Sequence, residues 1–237
     1  MTPWTSGDKG VAVMRRFFVF AMVLCISLSA GRVFAGEPSS PEEQYRLGLR
    51  YQLGDGVQKD MQKAFSLYKK SAEEGYPPAQ FAMGICHEMG GHGVEQDGRK
   101  AASWYEKAAR QGHTKAQLNL GNLYWFEDKG IPRNEQKAMD WWFVAAVNGE
   151  PEAQLYLAHR YFQISEKSRD SGALAKAHYW YHEAAGQGLA SAQYALGVMY
   201  QTGRPIKKDM QAALSWYKKA AAQGHEEAKK RLRELGY

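Results

Sequence analysis

The stretch YALGVMYQTGRPIKKDMQAALSWYKKAAAQG (194–224) decides the fold, because variants of it occur four more times in the chain in the same register. They are YRLGLRYQLGDGVQKDMQKAFSLYKKSAEEG (45–75), FAMGICHEMGGHGVEQDGRKAASWYEKAARQG (81–112), LNLGNLYWFEDKGIPRNEQKAMDWWFVAAVNG (118–149) and LYLAHRYFQISEKSRDSGALAKAHYWYHEAAGQG (155–188). The closing glycines Gly75, Gly112, Gly149, Gly188 and Gly224 are 37, 37, 39 and 36 residues apart. A period of this length indicates a repeat protein whose units stack on their neighbours.

The second half of each copy has the spacing of an amphipathic helix. In the last copy, small and aromatic residues recur at offsets of 0, 3, 4, 7 and 8, which lie on one helix face: Ala213, Trp216, Tyr217, Ala220 and Ala221. The short polar residues Asp60, Asp97, Asn134 and Asp209 precede this face and predict N-caps, and Asp170 or Ser171 is the cap expected in the fourth copy. The closing glycine is expected to end the helix.

The first half of each copy contains a second helical pattern with a small residue on its packed face. The pairs are Leu47-Gly48, Met83-Gly84, Leu120-Gly121, Leu157-Ala158 and Leu196-Gly197. A glycine or alanine there permits close approach of a partner helix. Glycine-containing turns connect the two halves in most copies, so each copy is predicted to be a helix-turn-helix unit.

These columns together resemble the Sel1-like repeat, a variant of the tetratricopeptide helix-turn-helix solenoid. The resemblance implies an all-α protein, a right-handed α-solenoid of five Sel1-like helix-turn-helix repeats plus a C-terminal capping helix. The repeats are expected at about 42–76, 77–113, 114–150, 151–189 and 190–225, with the cap at 226–237. A short linker, 36–41, precedes this repeat domain, 42–237.

Residues 1–35 have the pattern of a cleaved signal peptide. Arg15 and Arg16 precede the uncharged run 17–30, and Ala35 supplies a small residue for cleavage. Met14 is an alternative start, which would place residues 1–13 upstream of the protein. The apolar run is too short to span a bilayer, so we expect export to the bacterial periplasm without a stable membrane span.

The charge of the chain does not indicate a nucleic-acid partner. The net charge is +6, but residues 1–35 contain four basic residues and one acidic residue, and their removal leaves 27 basic and 24 acidic residues, a net of +3. Export also argues against a nucleic-acid ligand.

The segment GICHEMGGHGVEQDG (84–98) contains reactive side chains but not the spacing of a metal site. His87 and His92 are five residues apart with two glycines between them, whereas helical metal sites place histidines four apart. Cys86 lacks a neighbouring cation that would activate it. We therefore predict no catalytic residue, no metal site and no cofactor. The recurring Gln44, Gln80, Gln117, Gln154 and Gln193 are expected to tie repeats together by hydrogen bonds rather than to bind a ligand.

In tetratricopeptide-like packing, the first helices line a concave groove that binds a protein or peptide. The groove candidates implied by this resemblance are Gln52, Glu88, Asn122, Trp125, Phe126, His159 and Phe162. Trp125 and Phe162 replace Gln or Glu of the other copies. They are either an interface hot spot or packing support for irregular turns.

Phe143 stands in a column that is polar in the other four copies, next to Trp142. The pair indicates either a contact patch on the convex side or a local exchange of packing.

The function predicted from these features is an exported, non-enzymatic protein–protein interaction scaffold or adaptor, with a cell-envelope protein as one class of partner. One alternative is an immunity protein that neutralises a secreted toxic effector. A second alternative is a cell-wall or β-lactam-reactive enzyme. The paired cysteines that relatives with β-lactam activity carry in each repeat do not occur in this sequence.

Overall fold

The computed structural model describes residues 38–91, 93–127 and 130–237. The predicted signal peptide, the start of the linker and His92 lie outside these ranges. Within them the chain forms eleven α-helices and no β-strand. The helices are α1 (Pro41–Leu53), α2 (Met61–Glu73), α3 (Pro77–Met89), α4 (Gly98–Arg110), α5 (Thr114–Trp125), α6 (Glu135–Val147), α7 (Pro151–Ser168), α8 (Ser171–Gly186), α9 (Ala190–Thr202), α10 (Met210–Ala222) and α11 (Glu226–Glu234).

Each helix packs against the helix before it and the helix after it in the chain. The pairs α1–α2, α3–α4, α5–α6, α7–α8 and α9–α10 form five hairpins, and α11 packs on α10. The predicted all-α solenoid of five helix-turn-helix units with a terminal helix is therefore confirmed. Such an arrangement buries a continuous core although every unit contacts only its neighbours.

In four of the five hairpins a glycine of the first helix lies against a large ring of the second helix, and hairpin four has Ala158 at this position. A Cβ atom on Gly84 would lie 2.4 Å from ring carbons of Tyr105, closer than any real contact. Tyr105 itself is fully buried. The ring column consists of Tyr68, Tyr105, Trp142, Tyr181 and Tyr217, all of which are buried. The small residue is thus required by the ring that packs on it.

The ends of the second helices follow the sequence prediction. Asp60, Asp97, Asn134 and Asp209 each accept a hydrogen bond from a backbone amide of the helix that follows. In the fourth hairpin Asp170 is the cap, since its Oδ1 accepts from the amide of Gly172 at 2.8 Å. The closing glycines have positive φ, for example 88° at Gly224, a backbone conformation that side chains with a Cβ rarely adopt.

Hairpin four differs from the irregular turn that we expected. Helix α7 has 18 residues and continues to Ser168, through the first half of the polar segment SEKSRDSG (165–172). Helix α7 contains no glycine, and the hydroxyls of Ser165 and Ser168 donate to carbonyls of their own helix. Arg169, with a φ of 54°, ends the helix in place of a glycine.

The buried glutamine column joins successive hairpins. Gln117 Nε2 donates to the carbonyl of Ala109 at 3.0 Å, and Gln117 Oε1 accepts from Asn148 Nδ2 at 3.1 Å. Gln80, Gln154 and Gln193 make the same pair of hydrogen bonds. In each case Nε2 donates to a carbonyl of the preceding helix, and Oε1 accepts from the side-chain amide of the glutamine that follows the second helix of the same hairpin. The prediction that these glutamines tie repeats together is therefore confirmed for these four, whereas Gln44 of the first hairpin donates to Glu74 Oε1 at 3.0 Å within its own hairpin.

Candidate partner-binding face

The groove candidates lie on the first helices of the hairpins, and several of them hold the core ring of their own hairpin. We call this surface the first-helix face; it is defined by the columns Leu49, Ile85, Asn122, His159, Val198 and Gln52, Glu88, Trp125, Phe162, Gln201. None of these residues is fully buried.

In hairpins one, two and five, the second of these columns supplies a hydrogen-bond acceptor. The Tyr105 hydroxyl donates to Glu88 Oε2 at 2.7 Å. Gln52 accepts in the same way from Tyr68, and Gln201 accepts from Tyr217. A buried hydroxyl without a hydrogen-bond partner costs free energy. In three of the five hairpins the residue in this column is therefore needed as the acceptor for the buried tyrosine.

In hairpins three and four the acceptor comes from the first column instead, one helical turn earlier. Trp142 Nε1 donates to Asn122 Oδ1 at 2.9 Å. The Tyr181 hydroxyl lies 3.1 Å from Nδ1 of His159. The two polar residues replace the Leu, Ile and Val of the other hairpins. The second column therefore does not need to supply an acceptor in these two hairpins, and it contains Trp125 and Phe162.

Trp125 is half-buried and is surrounded by aromatic and cationic groups. Its ring centroid is 5.2 Å from that of Trp142. The guanidinium carbons of Arg133 and Arg160 lie 4.5 Å and 5.4 Å from it. Both guanidiniums are paired with the same carboxylate, that of Glu135. The ring thus packs partly on the core, and cation–π contacts orient the remainder.

A chain of rings connects hairpin three to hairpin four. Trp142 contacts Trp125 on one side and Tyr156 of α7 on the other, with a centroid distance of 5.1 Å to Tyr156. Phe126, which follows the last residue of α5, and Phe162, within α7, are half-buried. Packed rings therefore connect the candidate Trp125 of hairpin three to Tyr156 of hairpin four.

The proposed patch on the second helices is only partly as expected. Trp142 is 2% exposed, so its inclusion in an exposed patch was wrong; it fills the ring position of its hairpin. Phe143 is 49% exposed and its ring meets the edge of Trp180 at 6.0 Å. Val147, one turn further along α6, is 63% exposed and extends the apolar surface around Phe143.

Burial shifts the pKa values of two titratable groups on the first helices. Burial lowers the pKa of His159 to about 4, so the ring is neutral at pH 7. Burial raises the pKa of the Cys86 thiol to about 11, which leaves it protonated and poorly nucleophilic. Across 38–91, 93–127 and 130–237 no group of three or more His, Cys, Asp or Glu side chains is placed to hold a metal ion.

No helix in the part of the chain that the structure describes combines the length and the apolar character needed to cross a membrane.

Comparison with protein families finds five Sel1 repeats in the chain. The Sel1 repeat family model matches residues 44–76, 77–113, 114–149, 151–189 and 190–225. Among curated proteins, chitin synthase regulatory factor 3 of Schizosaccharomyces pombe is 51% identical over 55 residues. That match covers 23% of this chain and 6% of the fission-yeast protein, so it extends over only a small part of that relative.

Two solved structures are similar over most of the chain. A protective antigen present in uropathogenic Escherichia coli strains, which displays an SLR fold, is 34% identical with a TM-score of 0.73. The match covers 82% of this chain and 41% of that protein. A Sel1 repeat protein from Oxalobacter formigenes is also 34% identical, with a TM-score of 0.72, and the match covers 83% of this chain and 78% of that one.

Proposed function

The chain belongs to the Sel1 repeat family, and on this premise we propose that it is a non-enzymatic scaffold for protein–protein interaction. The proposed binding site is the first-helix face of hairpins three and four. A protein or an extended peptide binds there by shape and by contact with aromatic side chains.

The displaced hydrogen-bond acceptor is the observation that supports this site. In hairpins one, two and five the second column must present an amide or carboxylate oxygen to the core. In hairpins three and four Asn122 and His159 take over that role, and the second column carries the rings of Trp125 and Phe162. Tryptophan and other aromatic residues are enriched at the centres of interfaces.

The charges beside Trp125 indicate the chemistry of the partner. Arg133 and Arg160 share the single carboxylate of Glu135, and the side chain of Arg133 is 46% exposed. Two guanidiniums and one carboxylate leave an excess positive charge next to an aromatic ring. A partner segment with an apolar side chain followed by a carboxylate matches this surface.

Export of the protein is part of the same proposal. The basic start, the apolar run and the small residue at Ala35 support cleavage after that residue and a periplasmic location. Amino-terminal sequencing of the protein recovered from a periplasmic extract tests it, with Gly36 expected as the first residue.

The binding site is tested by capture of partners from a cell-envelope extract, followed by measurement of Kd with the purified partner. Trp125→Ala/Phe162→Ala is expected to weaken binding at least about 30-fold, the loss typical of a hot-spot residue. The matched control is Leu53→Ala/Met89→Ala, which removes two exposed apolar side chains from the ends of α1 and α3. Equal affinity of the wild type and the Trp125/Phe162 variant would place the site elsewhere.

The enzymatic alternative is tested separately with a labelled penicillin. The high pKa of Cys86 supports the expectation that the folded protein stays unlabelled. Stoichiometric covalent labelling of the folded chain would contradict the non-enzymatic function even if the partner-binding site is correct.

A further inference from the structure

Two histidines of α8 lie one turn apart on the same face of that helix. His178 and His182 are at positions i and i+4, where side chains are neighbours. Their ring centroids are 6.4 Å apart and the ring planes are inclined by 40°. The same i, i+4 spacing supplies two imidazole ligands in helical zinc sites.

The separation of the two rings is compatible with one ion between them. A zinc–imidazole bond is about 2.1 Å long and a ring nitrogen lies about 1.2 Å from its centroid, so two coordinated rings have centroids up to about 6.6 Å apart. The observed distance lies inside this limit, which applies to ligands on opposite sides of the ion; at the tetrahedral angle the same lengths give about 5.4 Å. A change in the Cα–Cβ torsion of His182, whose side chain is 57% exposed, moves that ring as a whole and closes the remaining distance of about 1 Å.

His178 has a ring nitrogen that lacks a partner. Its Nε2 is buried and makes no hydrogen bond within the described ranges. An unpartnered buried polar atom costs free energy, and a coordinated metal ion would remove that cost.

The second histidine has a carboxylate beside it. Nδ1 of His182 lies 3.8 Å from Oε1 of Glu183. This distance is longer than a hydrogen bond, but both side chains are exposed, and a small shift would let the carboxylate accept from Nδ1–H and leave the lone pair of Nε2 available to a metal ion. The rings of Tyr200 and Trp216 flank the pair on the side of α9 and α10, with centroid distances of 6.3 Å and 6.5 Å.

We propose that His178 and His182 chelate one divalent transition-metal ion of the Zn²⁺, Ni²⁺ and Cu²⁺ class, the ions that imidazole ligands prefer. Water completes the coordination, since the described part of the chain contains no cluster of three ligating side chains. The site lies between hairpins four and five and is separate from the proposed partner-binding site. Any opening of the site to water lies on the side of His182, whose side chain is 57% exposed.

The test is calorimetric titration of the purified full chain with ZnCl₂ at pH 7.5. We expect one equivalent to bind with a micromolar Kd and His182→Gln to weaken the affinity at least about tenfold, because one of two linked ligands is lost. The side chain of His182 is 57% exposed, so the substitution leaves the core unchanged. A circular-dichroism spectrum checks that each variant retains its helices.

The matched control is His182→Gln/Glu183→His, which keeps the number of histidines but moves the second one to i+5, on a different face of the helix. It should bind as weakly as His182→Gln. As a second readout, Cu²⁺ should quench the fluorescence of Trp216, and this component should disappear in Trp216→Phe. Zn²⁺ binding by the control variant within threefold of the wild type, or wild-type binding of several weak equivalents, would show the proposal to be wrong.

Discussion

The indole nitrogen of Trp142 donates a hydrogen bond of 2.9 Å to Oδ1 of Asn122, twenty residues earlier in the chain. In hairpins one, two and five the corresponding acceptor is found one helical turn later, where hairpin three has Trp125. Core and surface are coupled at this point, because the side chain that satisfies the buried ring determines which position is available for an exposed aromatic residue.

Replacement of Asn122 by leucine should destabilise the protein by about 1–3 kcal/mol, since it leaves the buried indole N–H of Trp142 without an acceptor. Urea unfolding followed by circular dichroism measures the change. The variant Asn122→Leu/Trp125→Gln/Trp142→Tyr, which copies the arrangement of hairpins one and five, should recover most of the loss. If the single substitution leaves stability unchanged, the hydrogen bond is not required by the core.

The contact between Gly84 and Tyr105 predicts a large effect of one methyl group. Gly84→Ala should lower the free energy of unfolding by about 1–3 kcal/mol, because the new Cβ would lie 2.4 Å from the ring. Gly186→Ala is the matched control, as no atom lies within 4 Å of its Cβ position at the end of α8. That variant should be neutral or more stable by up to about 1 kcal/mol. Similar effects of the two substitutions would contradict the close packing of α3 and α4.

The low pKa of His159 predicts a loss of stability in acid. The folded protein holds this ring with a pKa of about 4, below the ordinary value of 6.5, so the unfolded chain binds the proton more tightly. Its stabilising contribution is complete above pH 6.5 and declines as the pH falls to about 4, by an amount on the order of 3 kcal/mol.

His159→Asn removes the titration and retains an acceptor, as Asn122 does in hairpin three. The difference in unfolding free energy between this variant and the wild type should therefore change between pH 6.5 and pH 4 and be constant above that interval. A difference that is independent of pH would show that the ring titrates normally in the folded state.

Glu150 predicts the opposite dependence on pH. Burial, with additional contributions from Glu152, raises the pKa of this carboxyl group to about 8. A raised pKa contributes stability below about pH 4.5 that is lost as the pH rises through 8. Glu150→Gln should therefore become more stable than the wild type by about 1–3 kcal/mol above pH 8 and match it at pH 4.

Thermal unfolding between pH 4 and pH 9 measures this difference. Glu152→Gln serves as the control, because it removes one cause of the raised pKa and leaves the burial of Glu150 unchanged. It should show the same trend with a smaller amplitude. A constant difference between Glu150→Gln and the wild type over the whole range would mean that Glu150 is ionised in the fold at neutral pH.

The sequence by itself determined the number of hairpins and the ends of their second helices. Asp209 caps α10 by accepting from the amide of Ala212, three residues away, and Gly224 ends the repeat through its own backbone conformation. Such features depend on interactions within a few residues of one another. Because the repeats are 36 to 39 residues apart, the capping residues and closing glycines recur in four or five copies. This recurrence allows them to be predicted from the sequence alone.

Only the tertiary structure decided which aromatic residues are exposed and which polar residues are used by the core. Trp142 and Phe143 are adjacent in sequence, yet one is 2% and the other 49% exposed, because consecutive residues of a helix point in directions about 100° apart. Asn122 accepts a hydrogen bond from a side chain of a different helix. The Nε2 atom of His178 is buried without a hydrogen-bond partner among the described residues. These relationships depend on how the hairpins stack, and their physical origin is burial by neighbours distant in the chain.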